Sequence, residues 1–215
     1  MIIGISGRMG SGKDTIGEII QGLSITNGGR EFEVKKFAGK LKTIASLLTG
    51  IPVENFEEQN FKKLNMGPDW DMTHREFLQK LGTEAMRDGL HTNVWVNALF
   101  ADYKMSYRQH PEIDYVDHKA YPNWIITDMR FPNEMKAVVE RKGITIRVTR
   151  LFQTDIIDGN KVSWIPVPGV DYVPHASETA IDDAEFDYEI INDAGIPELI
   201  EKVRQILITE KIIWR

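Results

Sequence analysis

The chain contains no cysteine. That excludes disulfides, thiolate metal sites and cysteine nucleophiles, and it leaves the redox compartment open. Long apolar runs are missing as well. The longest is four residues, Ala98 to Ala101, far short of the ~20 that a membrane-spanning helix needs. Nor is there an excess of basic residues: 26 Lys and Arg stand against 32 Asp and Glu, a net charge of −6, with a pI near 5.4. Such a balance disfavours non-specific binding to duplex nucleic acid. The five histidines show no metal-ligand spacing, and no Ser-His-Asp arrangement can be argued. The opening Met1-Ile2-Ile3-Gly4 has neither a charged n-region nor an apolar h-region, so no secretory signal is expected. Internal repeats and low-complexity tracts are lacking too. The composition is otherwise ordinary for a globular protein, 42% hydrophobic and 27% charged over 215 residues, a size at which one compact domain is the default. The expectation is a single cytoplasmic domain over 1–215, with no nucleic-acid and no membrane partner.

Periodicity organises the chain. Met1 to Ser6 is an apolar run suited to a strand buried on both faces. From Lys13 the pattern changes to Ile16, Ile19, Ile20 and Leu23, one stripe of a helix that Asn27-Gly28-Gly29 ends. Phe32 to Phe37 reads as a short strand. Helical patterns follow at about 39–49 and 73–90, the second with Phe77, Leu81 and Ala85 on one face, and another at Val94 to Tyr103. Residues 104–123, polar and containing Pro111 and Pro122, read as a long loop. Trp124 to Asp128 is a strand, and Asn133 starts and caps a helix carrying Met135, Val138 and Val139, which Gly143 stops. Ile144, Ile146 and Val148 alternate as a further strand. Residues 152–180, with Pro166, Pro168 and Pro174, form a second irregular excursion. Phe186 to Ile191 is a last strand, and Pro197 opens a closing helix with the stripe Leu199, Ile200, Val203 and Leu207. Strands alternating with helices predict an α/β fold of three layers, α/β/α, around a five-stranded parallel sheet.

The strongest chemical signal is Gly7-Arg8-Met9-Gly10-Ser11-Gly12-Lys13-Asp14-Thr15, after a predicted strand and opening a predicted helix. In a phosphate loop, glycines let successive N–H groups point inward at phosphate oxygens, and the helix N-terminus adds partial positive charge. Lys13 would reach the β- and γ-phosphates, and a hydroxyl would ligate Mg²⁺. The motif G-x-x-x-x-G-K-[ST] places that hydroxyl directly after the lysine, where this chain has Asp14; Thr15 follows one place later, as in small-molecule kinases of the adenylate kinase type. This points toward nucleotide kinases and away from GTPases. Asp14 itself can serve the helix dipole or lie close to the acceptor.

Thr127-Asp128-Met129-Arg130 ends the Trp124 strand, at the sheet edge where doubly wound folds bind ligands. Asp128 can hold the magnesium shell and Arg130 can brace a phosphoryl oxygen. The competing reading has Asp128 cap the next helix, a task for which Asn133 is better placed.

With these residues in view, the chain resembles the deoxynucleoside monophosphate kinases of bacteriophages, a group within the P-loop nucleotide kinases. The resemblance is an ordered series along nearly the whole length. It begins with Ser6-Gly7 through Ser11-Gly12-Lys13-Asp14-Thr15, then Phe37-Ala38 and Leu41-Lys42. Arg75 to Glu84, Arg87 and Trp95-Val96 follow. The series closes with Asp128-Met129-Arg130, Asn133-Glu134, His175-Ala176-Ser177-Glu178 and Ile191-Asn192-Asp193-Ala194-Gly195. It implies a P-loop kinase fold with an acceptor-binding helical region at about 50–123 and a lid at about 152–180. The implied reaction moves the ATP γ-phosphoryl group, with Mg²⁺, to a deoxynucleoside 5′-monophosphate. Lys13, Asp128, Arg130 and Arg150 would be catalytic, and Thr15 and Asp128 would hold the metal. ATP would lie on Gly7 to Thr15 and on Asn192, and the acceptor on Lys42, Arg75, Gln79, Arg87 and Trp95, although Trp95 also suits a core position. His175 to Glu178 would help organise the lid. The partner implied is a small-molecule dNMP, with monomer and homodimer both open, in the host cytoplasm if the chain is phage-encoded.

Two alternatives stay beside this reading. Phosphomevalonate kinases of the animal type are similar in the loop, the Asp-x-Arg strand and the Ser-Glu segment. An NTP-driven switch would need Asn-Lys-x-Asp to read guanine, and Asn160-Lys161-Val162-Ser163 lacks the aspartate.

Overall fold

A computed structural model describes residues 1–27, 30–109, 116–150 and 179–214. In chain order the first elements are β1 (Ile2–Ser6), α1 (Lys13–Thr26), β2 (Glu33–Lys35), α2 (Ala38–Thr49) and α3 (Gln59–Lys62), with a 3₁₀ turn at Val53–Glu57 before α3. Then come α4 (His74–Gln79), which runs on into a π-helical stretch at Lys80–Asp88, α5 (Val94–Phe100), β3 (Ser106–Gln109) and β4 (Val116–Ala120). The remainder is β5 (Trp124–Ile126), α6 (Pro132–Glu140), β6 (Ile144–Thr149), β7 (Tyr188–Ile191) and α7 (Ile196–Thr209). They form two compact units, one of Met1–Val34 with Pro122–Arg215, the other Lys35–Tyr121. No helix among the described residues is long and apolar enough to cross a membrane.

The first unit is built on a five-stranded sheet in the order β2-β5-β1-β6-β7. β1 pairs in parallel with β5, Ile2 opposite Trp124, and with β6, Ile3 opposite Ile144; β6 pairs in parallel with β7. Every residue of β1 is buried, as the apolar run predicts for a central strand. Its alternate side chains serve opposite faces. Ile3 and Ile5 join one core with Ile16 and Ile20 of α1 and Leu199, Val203 and Leu207 of α7. On the other face a Cβ at Gly4 would lie 3.0 Å from Met129 Sδ and 3.2 Å from Val138 of α6. Helices therefore cover both faces, which is the expected three-layer α/β/α arrangement. From β1 the chain leaves toward β2, and from β6 toward β7. The carboxyl ends of β1 and β6 thus flank a point where connections diverge, the place at which such sheets bind ligands.

The second unit has a core of Ala45, Phe56 and Phe77, joined by Phe61, Leu81 and other half-buried neighbours. α2 ends where Gly50 turns left-handed, φ 72°, and its N–H donates to Ser46 O at 2.8 Å. α4 starts on a capping box: Glu76 N donates to Thr73 Oγ1 at 3.2 Å, and Thr73 N donates to Glu76 Oε2 at 2.7 Å. The expected helix over 73–90 is α4 followed by the wider π-helical coil. Phe77, Leu81 and Ala85 are spaced by four, which both coils satisfy, so side-chain period does not tell them apart. The expected loop at 104–123 instead contains an antiparallel hairpin, with Ser106 opposite Ala120 in the β3–β4 ladder. Its strands carry no alternation of apolar and polar residues, and backbone pairing alone leaves no such signature. The sheet has the five strands counted from sequence; β3 and β4 are additional to them.

Candidate active site

Between β1 and α1 the backbone is left-handed at three glycines, Gly7 (φ 152°), Gly10 (φ 77°) and Gly12 (φ 101°). At Gly7 a Cβ would stand 2.3 Å from Val148 O of β6. The loop passes the neighbouring strand at a distance that only glycine permits. Ser11 N donates to Arg8 O at 3.1 Å and closes the turn. Gly12 is the residue before α1 and has no side chain with which to cap it, so first-turn amides face the loop. The Lys13 ammonium folds back over the loop and donates to Gly7 O at 2.6 Å and Arg8 O at 2.8 Å. The hydroxyl of Ser11, a residue only 3% exposed, is buried without a hydrogen-bond partner.

Several elements converge on this turn. Asn192, just after β7, donates through Nδ2 to Ser11 O at 2.9 Å, while its backbone N–H donates to Thr149 O at 2.7 Å. Asn192, expected at the nucleotide, clamps the loop in the structure. Arg150, directly after β6, points Nη1 at Gly10 O, 3.5 Å away. Arg8 pairs with Asp182 at 2.9 Å. On the opposite side Thr127 Oγ1 donates to Asp14 Oδ1 at 2.8 Å. Asp14 is therefore tied to the end of β5, a role the sequence reading did not include. Met9 is exposed and Thr15 half-buried.

After β5, Thr127 and Met129 are buried, Asp128 is half-buried and Arg130 is exposed. The turn that carries them is held by Glu134, whose Oε2 accepts from Arg130 N at 2.7 Å and from Phe131 N at 3.1 Å. This corrects the expectation for Asn133. α6 begins at Pro132, so Asn133 lies inside the first turn, and the buried Glu134 carboxylate supplies the cap from the third helical position. A Glu two places after the proline was the available sign of it.

The expected acceptor residues Lys42, Arg75, Gln79, Arg87 and Trp95 all belong to the second unit. The buried Lys42 pairs with Glu57 at 2.5 Å. Burial works against ionisation of Glu57, but the hydrogen bond and charge of Lys42, aided by Lys36 and Lys62, outweigh it and hold the carboxyl below its ordinary range. Glu57 had no mark in the sequence. Arg75 donates to Gln59 Oε1 at 3.1 Å, and Gln79 is half-buried on the same helix. Arg87 is buried and donates to Thr92 O at 3.3 Å. Trp95 is 6% exposed and its indole N–H donates to Gly82 O at 2.8 Å, which makes it a packing residue of its unit. Of the expected lid, 152–178 lies outside the described residues, and with it His175 to Glu178.

The residues fit a nucleotide's phosphates: left-handed glycines, an unpartnered buried hydroxyl at Ser11 and a lysine poised over the turn at the start of a 14-residue helix. Thr15 and Asp128 offer hydroxyl and carboxylate oxygens, the hard donors that Mg²⁺ takes. Among the described residues no three His, Asp or Glu side chains converge as a metal cage; Mg²⁺ shared with substrate phosphates and waters needs none.

No protein-family model matches the chain, and no curated protein sequence matches it. Solved structures with similarity to it include a shikimate kinase from Aquifex aeolicus, 12% identical over 99% of both chains with a TM-score of 0.39. Another is a shikimate kinase from Bacteroides thetaiotaomicron, 13% identical over 98% of both chains, also at 0.39. A likeness that distant says nothing about this chain's substrate.

Proposed function

We propose that the protein transfers the γ-phosphoryl group of ATP to the 5′-phosphate of a deoxynucleoside monophosphate, giving ADP and the dNDP. An acceptor phosphate oxygen forms the new bond to the γ-phosphorus as the bond to the β,γ-bridging oxygen breaks. The observation that carries the reading is the turn from Gly7 to Lys13, with its left-handed glycines and the Lys13 ammonium held over them. Phosphate oxygens would replace Gly7 O and Arg8 O as partners of Lys13, placing its charge where negative charge develops. First-turn amides of α1 would receive the remaining oxygens. Thr15 and Asp128 would hold Mg²⁺, which would supply neutralisation of phosphate charge. Arg130 and Arg150 would stabilise the transferring group, and Lys42, Arg75 and Arg87 would take the acceptor phosphate. The choice of dNMP as acceptor rests on the ordered series of segments shared with the phage enzymes.

The test is ADP formation from Mg·ATP with a panel of dNMPs, NMPs and mevalonate phosphate. Turnover that appears only with dNMPs supports the reading. ADP formation with mevalonate phosphate, or equally without any acceptor, refutes it.

A further inference from the structure

Asp14 stands where phosphate loops of the common pattern place the metal-binding hydroxyl, and the proposed reaction leaves it without work. Its carboxylate accepts from Thr127 Oγ1 at 2.8 Å across 113 residues of sequence. A second contact fixes the same threonine: a Cβ at Gly17 would lie 2.9 Å from Thr127 Cγ2, so α1 rests directly on the methyl group. Thr127 is 1% exposed. Its two branches are thus both engaged by α1, the hydroxyl by Asp14 and the methyl at Gly17. The residue after Asp14 is Thr15 and the residue after Thr127 is Asp128, the two proposed oxygen donors to Mg²⁺.

We propose that Asp14 is a positioning residue, whose hydrogen bond to Thr127 sets the first turn of α1 against the end of β5 so that Thr15 and Asp128 meet one metal ion. This rests on the metal assignment of the proposed function but not on the identity of the acceptor. Asp14 acts here through its acceptor oxygen, not through its charge, and it does not touch the ion.

Calorimetric titration of the full chain with ATP, with and without Mg²⁺ and with no acceptor present, tests this. The quantity read is the gain in ATP affinity that Mg²⁺ provides. Asp14→Ala and Thr127→Val should each cut that gain by about tenfold, the usual cost of losing a group that orients a metal ligand. The double variant should lose no more than either single one, since both remove one interaction. Thr127→Ser keeps the hydroxyl and Asp14→Asn keeps the acceptor oxygen, so both should retain most of the gain. Loss in Asp14→Asn with a normal Thr127→Val would show a role for charge and overturn the proposal. Multiplying losses in the double variant would overturn it as well. If wild-type protein gains nothing from Mg²⁺, the metal assignment falls and this inference with it. A normal gain with no dNMP turnover would refute the acceptor alone.

Discussion

Alanine at Gly7 and alanine at Gly10 should have different costs, and the loop geometry says by how much. Both residues have φ angles that L side chains rarely adopt, 152° and 77°, a strain of about 1–2 kcal/mol each. At Gly10 the added methyl meets nothing within 4 Å, so strain is the whole effect. At Gly7 it would lie 2.3 Å from Val148 O and 3.2 Å from Val148 C. These are backbone atoms of β6, which is paired on both sides, and no rotamer change can clear them. Restoring contact distance requires the loop and the strand to part by most of an ångström, an overpacking cost of about 1–3 kcal/mol beyond the strain. Gly7→Ala should therefore destabilise the sheet unit by about 2–5 kcal/mol and Gly10→Ala by about 1–2 kcal/mol. Urea unfolding followed through hydrogen exchange of the β1 amides reads the unit that contains the loop. If the two variants differ by less than about 0.5 kcal/mol, the close approach of loop to β6 is not a constraint, and the reasoning fails.

Lys13→Ala should lower turnover by about 10³-fold or more, because its charge serves the transferring phosphates; since Lys13 is outside the core, the urea midpoint should stay near wild type. Glu134→Ala removes the acceptor of two backbone N–H groups and should cost about 2–3 kcal/mol, with Glu134→Gln losing less in the same denaturation assay. Tyr188 is hydrogen-bonded to Glu210, and that bond, then partial burial and the nearby acidic charges, push its phenol up to about 12. The folded state thus holds this proton more tightly than the unfolded chain, whose tyrosine titrates near 10. The stabilisation is complete below pH ~10 and is lost as pH rises from there through about 12. Absorbance at the tyrosinate band should show a late-ionising component that Tyr188→Phe removes.

How much of this was legible in the sequence depended on whether the interaction was local. β1 and α1 were readable because a run of Ile residues, a cluster of glycines and an Ile16–Ile20–Leu23 stripe follow each other within one short stretch. The same holds for α7, where Pro197 and the stripe agree. The capping of α6 was half legible: Asn133 is the residue type that caps, but Pro132 already begins the helix and hands the task to Glu134. β3 and β4 carry no pattern, since a polar ribbon leaves no period. Neither the boundary at Lys35 nor the one at Tyr121 coincides with a change in composition. The pairings around the loop were beyond reach for another reason. Asp14 with Thr127, Asn192 with Ser11 and Arg8 with Asp182 each join residues more than a hundred positions apart, and only the folded sheet brings them together.

The two units differ in how they are written along the chain. Lys35–Tyr121 is one continuous stretch, whereas the sheet unit is assembled from Met1–Val34 and Pro122–Arg215. During synthesis β1 leaves the ribosome with neither of its neighbours yet made, since β5 and β6 belong to the second stretch. At about 5–20 residues per second the delay is on the order of ten seconds. Throughout it Ile2, Ile3 and Ile5 have no sheet to enter, and both edges of the strand are open to chaperones or to other nascent chains. The middle unit meets no such delay, because all its partners emerge together. The phosphate loop is thus translated well over a hundred residues ahead of the groups that complete its support, Val148 behind Gly7 and Asn192 on Ser11.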